Sequence, residues 1–156
     1  MDPIPASYDG EIIELGAGTG ALTLGLATKC PNARITACEI NPMLAQVTRT
    51  NLDMAGLSDR VQVLSSPAEH LLESRAEDPA RRVNFVLSGI PLCNLNREHV
   101  QRLLAAVSGA LKPGGWYIQF QHSLIDRKKI RDSFWRLRTV PVILNLPPAF
   151  VYFAQK

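Results

Sequence analysis

Cysteine, histidine and long apolar runs are all scarce in this chain of 156 residues. Its three cysteines, Cys30, Cys38 and Cys93, form neither an even framework nor a C-x-x-C pair, which excludes a disulfide scaffold and points to reduced thiols in the cytoplasm. The three histidines, His70, His99 and His122, are isolated from one another, so no metal-ligand spacing is present and no metal is expected. The most apolar segment, Val140 to Ala154, is interrupted by Asn145 and by Pro147-Pro148 and is too short to span a bilayer. Met1-Asp2-Pro3 has neither the basic start nor the apolar stretch of a secretory signal. Repeats, linkers and low-complexity stretches are also missing.

What remains is ordinary globular material, 46% apolar and 20% charged, in a length suited to one domain with a proper core. The net charge of +3 hides an asymmetry. Residues 1–80 carry 5 Lys/Arg against 11 Asp/Glu, and residues 81–156 carry 12 against 3. The densest basic stretch holds Arg127, Lys128, Lys129, Arg131, Arg136 and Arg138. Such a stretch is either a solvated helix face or a surface for an anionic partner, acidic lipid or nucleic acid.

Short β-rich runs alternate with helical patterns after a lead-in over residues 1–10, leaving residues 11–156 as the domain. Strands are expected at 11–16, 34–40, 60–64, 83–87 and 116–121. Helices are expected at 21–29, 42–54, 68–76, 96–111 and 126–137. Two consecutive strands, 139–145 and 150–155, close the chain. Strands joined by helices of about a dozen residues imply right-handed crossovers and a mostly parallel sheet covered on both faces. The expected fold class is therefore α/β, Rossmann-like and seven-stranded, with an antiparallel C-terminal hairpin.

The sharpest local signal is Glu14-Leu15-Gly16-Ala17-Gly18-Thr19-Gly20, directly after Ile12-Ile13 and directly before Ala21-Leu22-Thr23-Leu24. This is a strand turning tightly into a helix, and glycines there let a ligand approach bare backbone. A dinucleotide turn reads G-x-G-x-x-G and seats a pyrophosphate. Here the glycines are spaced G-x-G-x-G, and the acid ahead of them would repel a pyrophosphate and suit an amine. The motif resembles the first motif of class I S-adenosylmethionine-dependent methyltransferases. That resemblance implies S-adenosylmethionine as cofactor, S-adenosylhomocysteine as product, and Glu14 facing the amino acid end.

Open α/β sheets bind ligands at the carboxyl ends of their strands, so further loops should converge on the glycine turn. Glu39-Ile40-Asn41-Pro42 ends the second strand, 19 residues past Gly20. A carboxylate there can accept both ribose hydroxyls, with Ile40 against the adenine, or else merely favour the following helix dipole. Ser65-Ser66-Pro67-Ala68-Glu69 follows the third strand. The family often has Asp-Ala here, the Asp holding the adenine amine. Pro67 replaces that Asp, so the Ala68 backbone and Glu69 are the remaining candidates. The same residues also read as a helix start, with Ser66 at the N-cap, Pro67 at the first turn and Glu69 behind it.

The methyl acceptor should meet Ser88-Gly89-Ile90-Pro91-Leu92, after the fourth strand. Enzymes acting on nucleobase amines carry an Asn/Asp-Pro-Pro-aromatic signature there, and no aromatic is present. The segment resembles the Ser-Gly-Leu-Pro-Leu of bacterial soluble phosphatidylethanolamine N-methyltransferases. Gly114-Gly115-Trp116-Tyr117-Ile118-Gln119-Phe120 resembles their Gly-Gly-x-x-x-Gln-Phe strand, and Asn145-Leu146-Pro147-Pro148-Ala149-Phe150-Val151 their Asn-x-Pro-Pro-Ala-x-Val ending. The family's Tyr beyond Gln-Phe is replaced by Gln121-His122. The resemblance implies methylation of an amine acceptor, a phospholipid at the inner face of a membrane, with nucleic acid a lesser candidate. Ser88, Pro91 and His122 are the candidate catalytic positions, His122 as a base or as a plain surface histidine. Two rivals stand: methylation of RNA or another macromolecule, and a cofactor-binding domain without turnover.

Overall fold

The computed structural model describes residues 3–142 and 149–156. Seven strands form one sheet in the order β3-β2-β1-β4-β5-β7-β6: β1 Glu11–Leu15, β2 Arg34–Cys38, β3 Val61–Leu64, β4 Val83–Ser88, β5 Leu111–Gln121, β6 Arg136–Val142 and β7 Ala149–Gln155. The first five run parallel, and β7 lies antiparallel between β5 and β6. The expected fold class is the one observed.

Helices α1 (Ala21–Lys29) and α2 (Pro42–Met54) cover one face; α3 (Ala68–Glu77), α4 (Arg97–Ala110) and α5 (Arg127–Ser133) cover the other. The division follows from strand alternation, which points successive side chains to opposite faces. Ile12, Phe85 and Ile118 pack with Leu26, Ala27, Ala45 and Leu52, while their neighbours Ile13, Val86 and Tyr117 pack with Leu72, Val100, Leu104 and Val107. A parallel sheet buried on both faces needs such near-continuous apolar strands. The lead-in joins this core: Ile4 is buried, and the Tyr8 ring stands edge-on to Phe85 at 4.8 Å.

Local chemistry sets the helix starts. Asn41 accepts the Met43 and Leu44 N–H groups ahead of Pro42, and Asn96 accepts the His99 N–H. α3 departs from expectation. Pro67 rather than Ser66 occupies the N-cap, because its ψ of 140° keeps it out of the helix, and no side chain caps the turn.

Two boundaries also move. β5 begins at Leu111, five residues before the expected Trp116, because Leu111 already pairs with Val83 and Pro113-Gly114-Gly115 forms an irregularity inside the strand. A Cβ on Gly115 would lie 2.9 Å from the Lys112 carbonyl oxygen and 3.1 Å from that of Asn84. The last helix stops at Ser133 instead of Leu137. Phe134 turns inward to stack on Tyr117 at 5.5 Å, the Trp135 N–H donates to the Gln155 carbonyl, and Arg136 and Leu137 pair with β7. The expected strand end at Asn145, and the turn containing Pro147 and Pro148, lie outside the described residues.

Candidate functional site

A cleft of about 580 Å³ opens at the carboxyl ends of β1, β2 and β4, walled on one side by the starts of α3 and α4. That size suits a small-molecule cofactor. The glycine turn forms its floor. The Gly16 and Ala17 N–H groups donate to the Cys38 carbonyl at 2.9 and 3.0 Å, and the Gly89 N–H donates to the Leu15 carbonyl at 2.8 Å. Three strand ends are thereby tied together by backbone alone.

Gly16 and Gly18 both have left-handed backbone angles, and space adds a second constraint at Gly16 alone. Gly16 has φ 74°, and a Cβ there would sit 2.9 Å from Ile90 Cγ1. Gly18 has φ 58°, but a Cβ there would meet no protein atom within 4 Å. Gly18 lines the cleft, so its open side is the space a ligand would use.

Glu39 stands at the end of β2, 8% exposed. Its Oε2 accepts the Gly18 N–H at 2.8 Å and its Oε1 accepts the Asn41 N–H at 2.9 Å. Each carboxylate oxygen has a second lone pair, so the group can fix the glycine turn and still accept two hydroxyls. Ile40, beside it, is 71% exposed and lines the same cleft with an apolar side chain.

Glu14 is not in the cleft wall. It is 1% exposed, at a point on β1 paired with Ala37 and Leu87 and near Thr23 of α1. Burial pushes its pKa up to about 7. Neither Glu14 Oε2 nor Thr23 Oγ1 is placed for a hydrogen bond. An acid two residues before the first glycine points beneath the turn because β alternation sends it to the α1 face.

Of the residues singled out in the sequence, Gly16, Gly18, Glu39, Ile40, Pro67, Ala68, Glu69 and Pro91 come together around the cleft. Ala17, Gly20 and Asn41 shape it from behind; Asn41 caps α2, and a Cβ on Gly20 would meet Thr48 Cγ2 at 2.8 Å. Ser88 is fully buried, and its hydroxyl accepts the Ile90 N–H at 3.3 Å. Gln119, also fully buried, donates to the Ile90 carbonyl at 2.9 Å and to the Phe120 carbonyl at 2.8 Å, and it accepts the Tyr117 hydroxyl. Burial holds the Tyr117 phenol above its ordinary range, so it stays a donor. Ser88 therefore anchors the Gly89–Pro91 loop from below. His122 is exposed at the end of β5, edge-on to Phe120 at 5.7 Å, and is not among the residues lining the cleft.

The cleft also contains residues that sequence reasoning passed over: Cys38, and Leu95, His99 and Leu103 from the α4 side. Leu95 precedes α4, and His99 and Leu103 stand four residues apart on it, a spacing that reads as plain core until the fold shows what it faces. Burial pushes the Cys38 thiol up to about 11, which makes it an inert wall rather than a nucleophile. Among the described residues no group of three or more His, Cys, Asp or Glu could hold a metal ion.

A second concavity, about 570 Å³, lies at the open β3 edge. Three of its four arginines already have partners. Arg75 pairs with Glu11 at 2.7 Å, Arg49 donates to the Val63 carbonyl, and Arg60 to the Ala27 and Cys30 carbonyls. Those bonds brace the sheet edge and leave little for a ligand.

The comparisons agree with this geometry. The family described as a methyltransferase domain matches residues 12–115. An ornithine lipid N-methyltransferase of Singulisphaera acidiphila is 29% identical over 154 residues, covering 97% of this chain and 79% of the relative. An arginine N(omega)-methyltransferase of Streptomyces achromogenes subsp. streptozoticus is 31% identical over 145 residues, but the chain spans only 37% of its length. Among solved structures, a precorrin-6y C5,15-methyltransferase from Geobacter metallireducens superposes with a TM-score of 0.76 at 20% identity, covering 96% of this chain and 82% of the other. An O-methyltransferase from Bacillus cereus in complex with SAH gives 0.73 at 17% identity, covering 94% and 74%. With its glycine turn, β2 carboxylate and seven-stranded sheet, the chain belongs to the methyltransferase-domain family and is an S-adenosylmethionine-dependent methyltransferase.

Proposed function

We propose that the chain transfers methyl groups to the amine of an amphiphile headgroup, an ethanolamine phospholipid or a similar amine-bearing lipid, at a membrane surface. The observation that carries this reading is the character of the acceptor side. Gly89, Ile90, Pro91 and Leu95 form it, and no Phe, Tyr or Trp occurs among the described residues lining the cleft. A planar base has no aromatic ring to stack on there. An aliphatic wall also disfavours an ammonium, which helps an amine meet the cofactor unprotonated. The ornithine lipid relative supports the same acceptor class.

In this reading the residues divide their tasks along the cleft. Glu39 accepts the ribose hydroxyls, Ile40 covers the adenine, the Gly16–Gly20 backbone receives the amino acid end, and the Ala68 N–H faces the adenine ring. Bound S-adenosylmethionine supplies an electrophilic methyl on its sulfonium. A nitrogen–carbon bond forms as the carbon–sulfur bond breaks, and the amine proton leaves to water. The chain's share is alignment, worth several kcal/mol. The Ser88, Gln119 and Tyr117 hydrogen bonds hold the Gly89–Pro91 loop for that purpose.

An exposed apolar patch beside the basic stretch suits contact with a lipid surface. Leu124 and Ile125, in the loop after β5, are 48% and 76% exposed, and Ile125 shares a groove with Arg97, Lys128 and Lys129. The cations are less available than the sequence implied. Lys129 pairs with buried Asp126 at 2.7 Å, and Lys128 and Arg131 each lie 3.6 Å from Asp132. Aliphatic insertion thus takes a larger part than charge. Among the described residues no helix is long and apolar enough to cross a membrane.

Radiolabelled S-adenosylmethionine offered with ethanolamine phospholipid vesicles, with RNA and with a protein extract tests the proposal. Label in the lipid fraction supports it. Label in RNA or protein with none in lipid overturns it, and label nowhere, with cofactor still bound, favours a domain without turnover.

A further inference from the structure

We propose that the face of β5, β7 and β6 on the α1 and α2 side is a self-docking surface, on which two copies of the chain pack about a two-fold axis along β7, with both clefts opening to the same side.

The two faces of these strands are unlike. Toward α4 and α5, Tyr117, Gln119, Tyr152 and Ala154 are fully buried. On the other face Trp116, Phe120, Val151 and Phe153 are only partly buried, and Ile118 is 9% exposed. Topology is the cause. Helices α1 and α2 follow β1 and β2 and cover that end of the sheet, and the lead-in reaches only as far as β4, with Tyr8 on Phe85. Among the described residues neither helix makes more than marginal contact with β5, β6 or β7. An antiparallel sheet can leave one face to water, but such a face is then polar. Here it is apolar and aromatic. These side chains are also recessed, unlike Ile125 at 76% exposure. Insertion into lipid needs side chains that project, whereas a recessed apolar face fits a solid surface of matching shape.

Charge decides which surface that is. β5 presents Trp116, Ile118 and Phe120, and in the first two of those rows β6 presents Arg136 and Arg138. Phe153 and Val151 of β7 stand between the two columns. A two-fold axis across the strands would lay β6 on its own copy, arginine on arginine. An axis along β7 instead lays β6 of each copy on β5 of the other. Arg136 then meets the Trp116 ring of the second copy, twice by symmetry. Cation on ring is already a contact of this face, since the Arg138 guanidinium lies 4.7 Å from the centroid of its own Phe153. Rotation about an axis parallel to the strands preserves their direction. Both clefts, at the carboxyl ends, therefore open on one side of the dimer. In the lipid reading a single bilayer would serve two sites, but the dimer does not rest on that reading.

Three strands spaced about 4.8 Å apart and seven residues long give a footprint of roughly 14 by 23 Å, less than a standard interface, so association depends on concentration. Sedimentation velocity of the native protein from about 1 to about 200 µM covers the range that so small an interface calls for. The mass should rise from 17.2 kDa toward twice that value. Arg136→Glu, a change on an exposed side chain, should weaken association at least about tenfold by setting a carboxylate over an aromatic face. Val151→Lys, which brings two ammonium groups together at the axis, should leave only monomer. Unchanged circular dichroism and unchanged affinity for S-adenosylhomocysteine show that the variants fold; should Val151→Lys fail that check, Arg136→Glu alone decides. A native protein that stays monomeric throughout overturns the proposal, as does native-like association of the folded variants. Sedimentation of a native monomer with vesicles, lost in Val151→Lys, would give the face to lipid and overturn it equally.

Discussion

Replacing Glu14 by glutamine should change how stability depends on pH, and the size of the change follows from its burial. The carboxyl is 1% exposed on β1, and burial raises its pKa from 4.5 to about 7. The folded state therefore holds this proton more tightly than the unfolded chain. Between the two values the folded protein binds more protons, so stability falls as pH rises. The contribution is complete below about pH 4.5 and gone above about pH 7. Over pH 5 to 8 the loss is about 2–3 kcal/mol. The other shifted groups are common to both proteins and cancel from the comparison: Cys38 lies near 11, Tyr8, Tyr117 and Tyr152 are raised above the usual tyrosine range, and burial lowers Lys156. An amide at this position cannot ionise, so the mutant lacks this slope. Urea unfolding of both proteins at pH 5, 6, 7 and 8 should show the wild type losing about 2–3 kcal/mol relative to Glu14→Gln. A constant cost of the amide shifts both ends equally and cancels. Parallel profiles would refute a buried, proton-holding Glu14.

Gly18→Val should fold, because a Cβ there meets no protein atom, at a strain of about 1–2 kcal/mol from its left-handed backbone. It should also abolish the thermal shift produced by S-adenosylhomocysteine; a persisting shift would mean that Gly18 does not face the cofactor. Ile125→Glu should reduce sedimentation with ethanolamine phospholipid vesicles by tenfold or more, since burying an isoleucine side chain is worth roughly 1.5–3 kcal/mol, while leaving affinity for free S-adenosylhomocysteine unchanged. Unaltered vesicle binding would place the membrane contact elsewhere.

The sheet, the glycine turn and the β2 carboxylate were legible because each rests on local chemistry. Apolar strand runs, Asn41-Pro42 at a helix start, and an acid 19 residues past Gly20 at the end of a strand each show within a short window. What the sequence misled on depends on contacts between distant segments. Residues 134–137 continue a helical pattern, yet Phe134 stacks on Tyr117 and the chain leaves as strand β6. Gly114-Gly115 reads as a turn, yet β4 and Lys156 hold it inside β5. Glu14 and Ser88 carry motif positions, yet both are buried in the protein. His122 satisfied the requirement for a base by type and strand position, but the cleft is bounded by α4, and the histidine it receives is His99. In the basic stretch at 127–131, Lys128, Lys129 and Arg131 pair with Asp126 or Asp132, partners that a count of charges does not show.

Glu39 joins the glycine turn to the cleft, so the most direct measurement is calorimetric titration of wild type and Glu39→Ala with S-adenosylhomocysteine. Two hydroxyl contacts to a charged acceptor are worth on the order of 2–3 kcal/mol, so the mutant, folded by circular dichroism, should bind about 30–150-fold more weakly. Equal affinity in the two proteins would contradict the placement of the cofactor at the ends of β1 and β2.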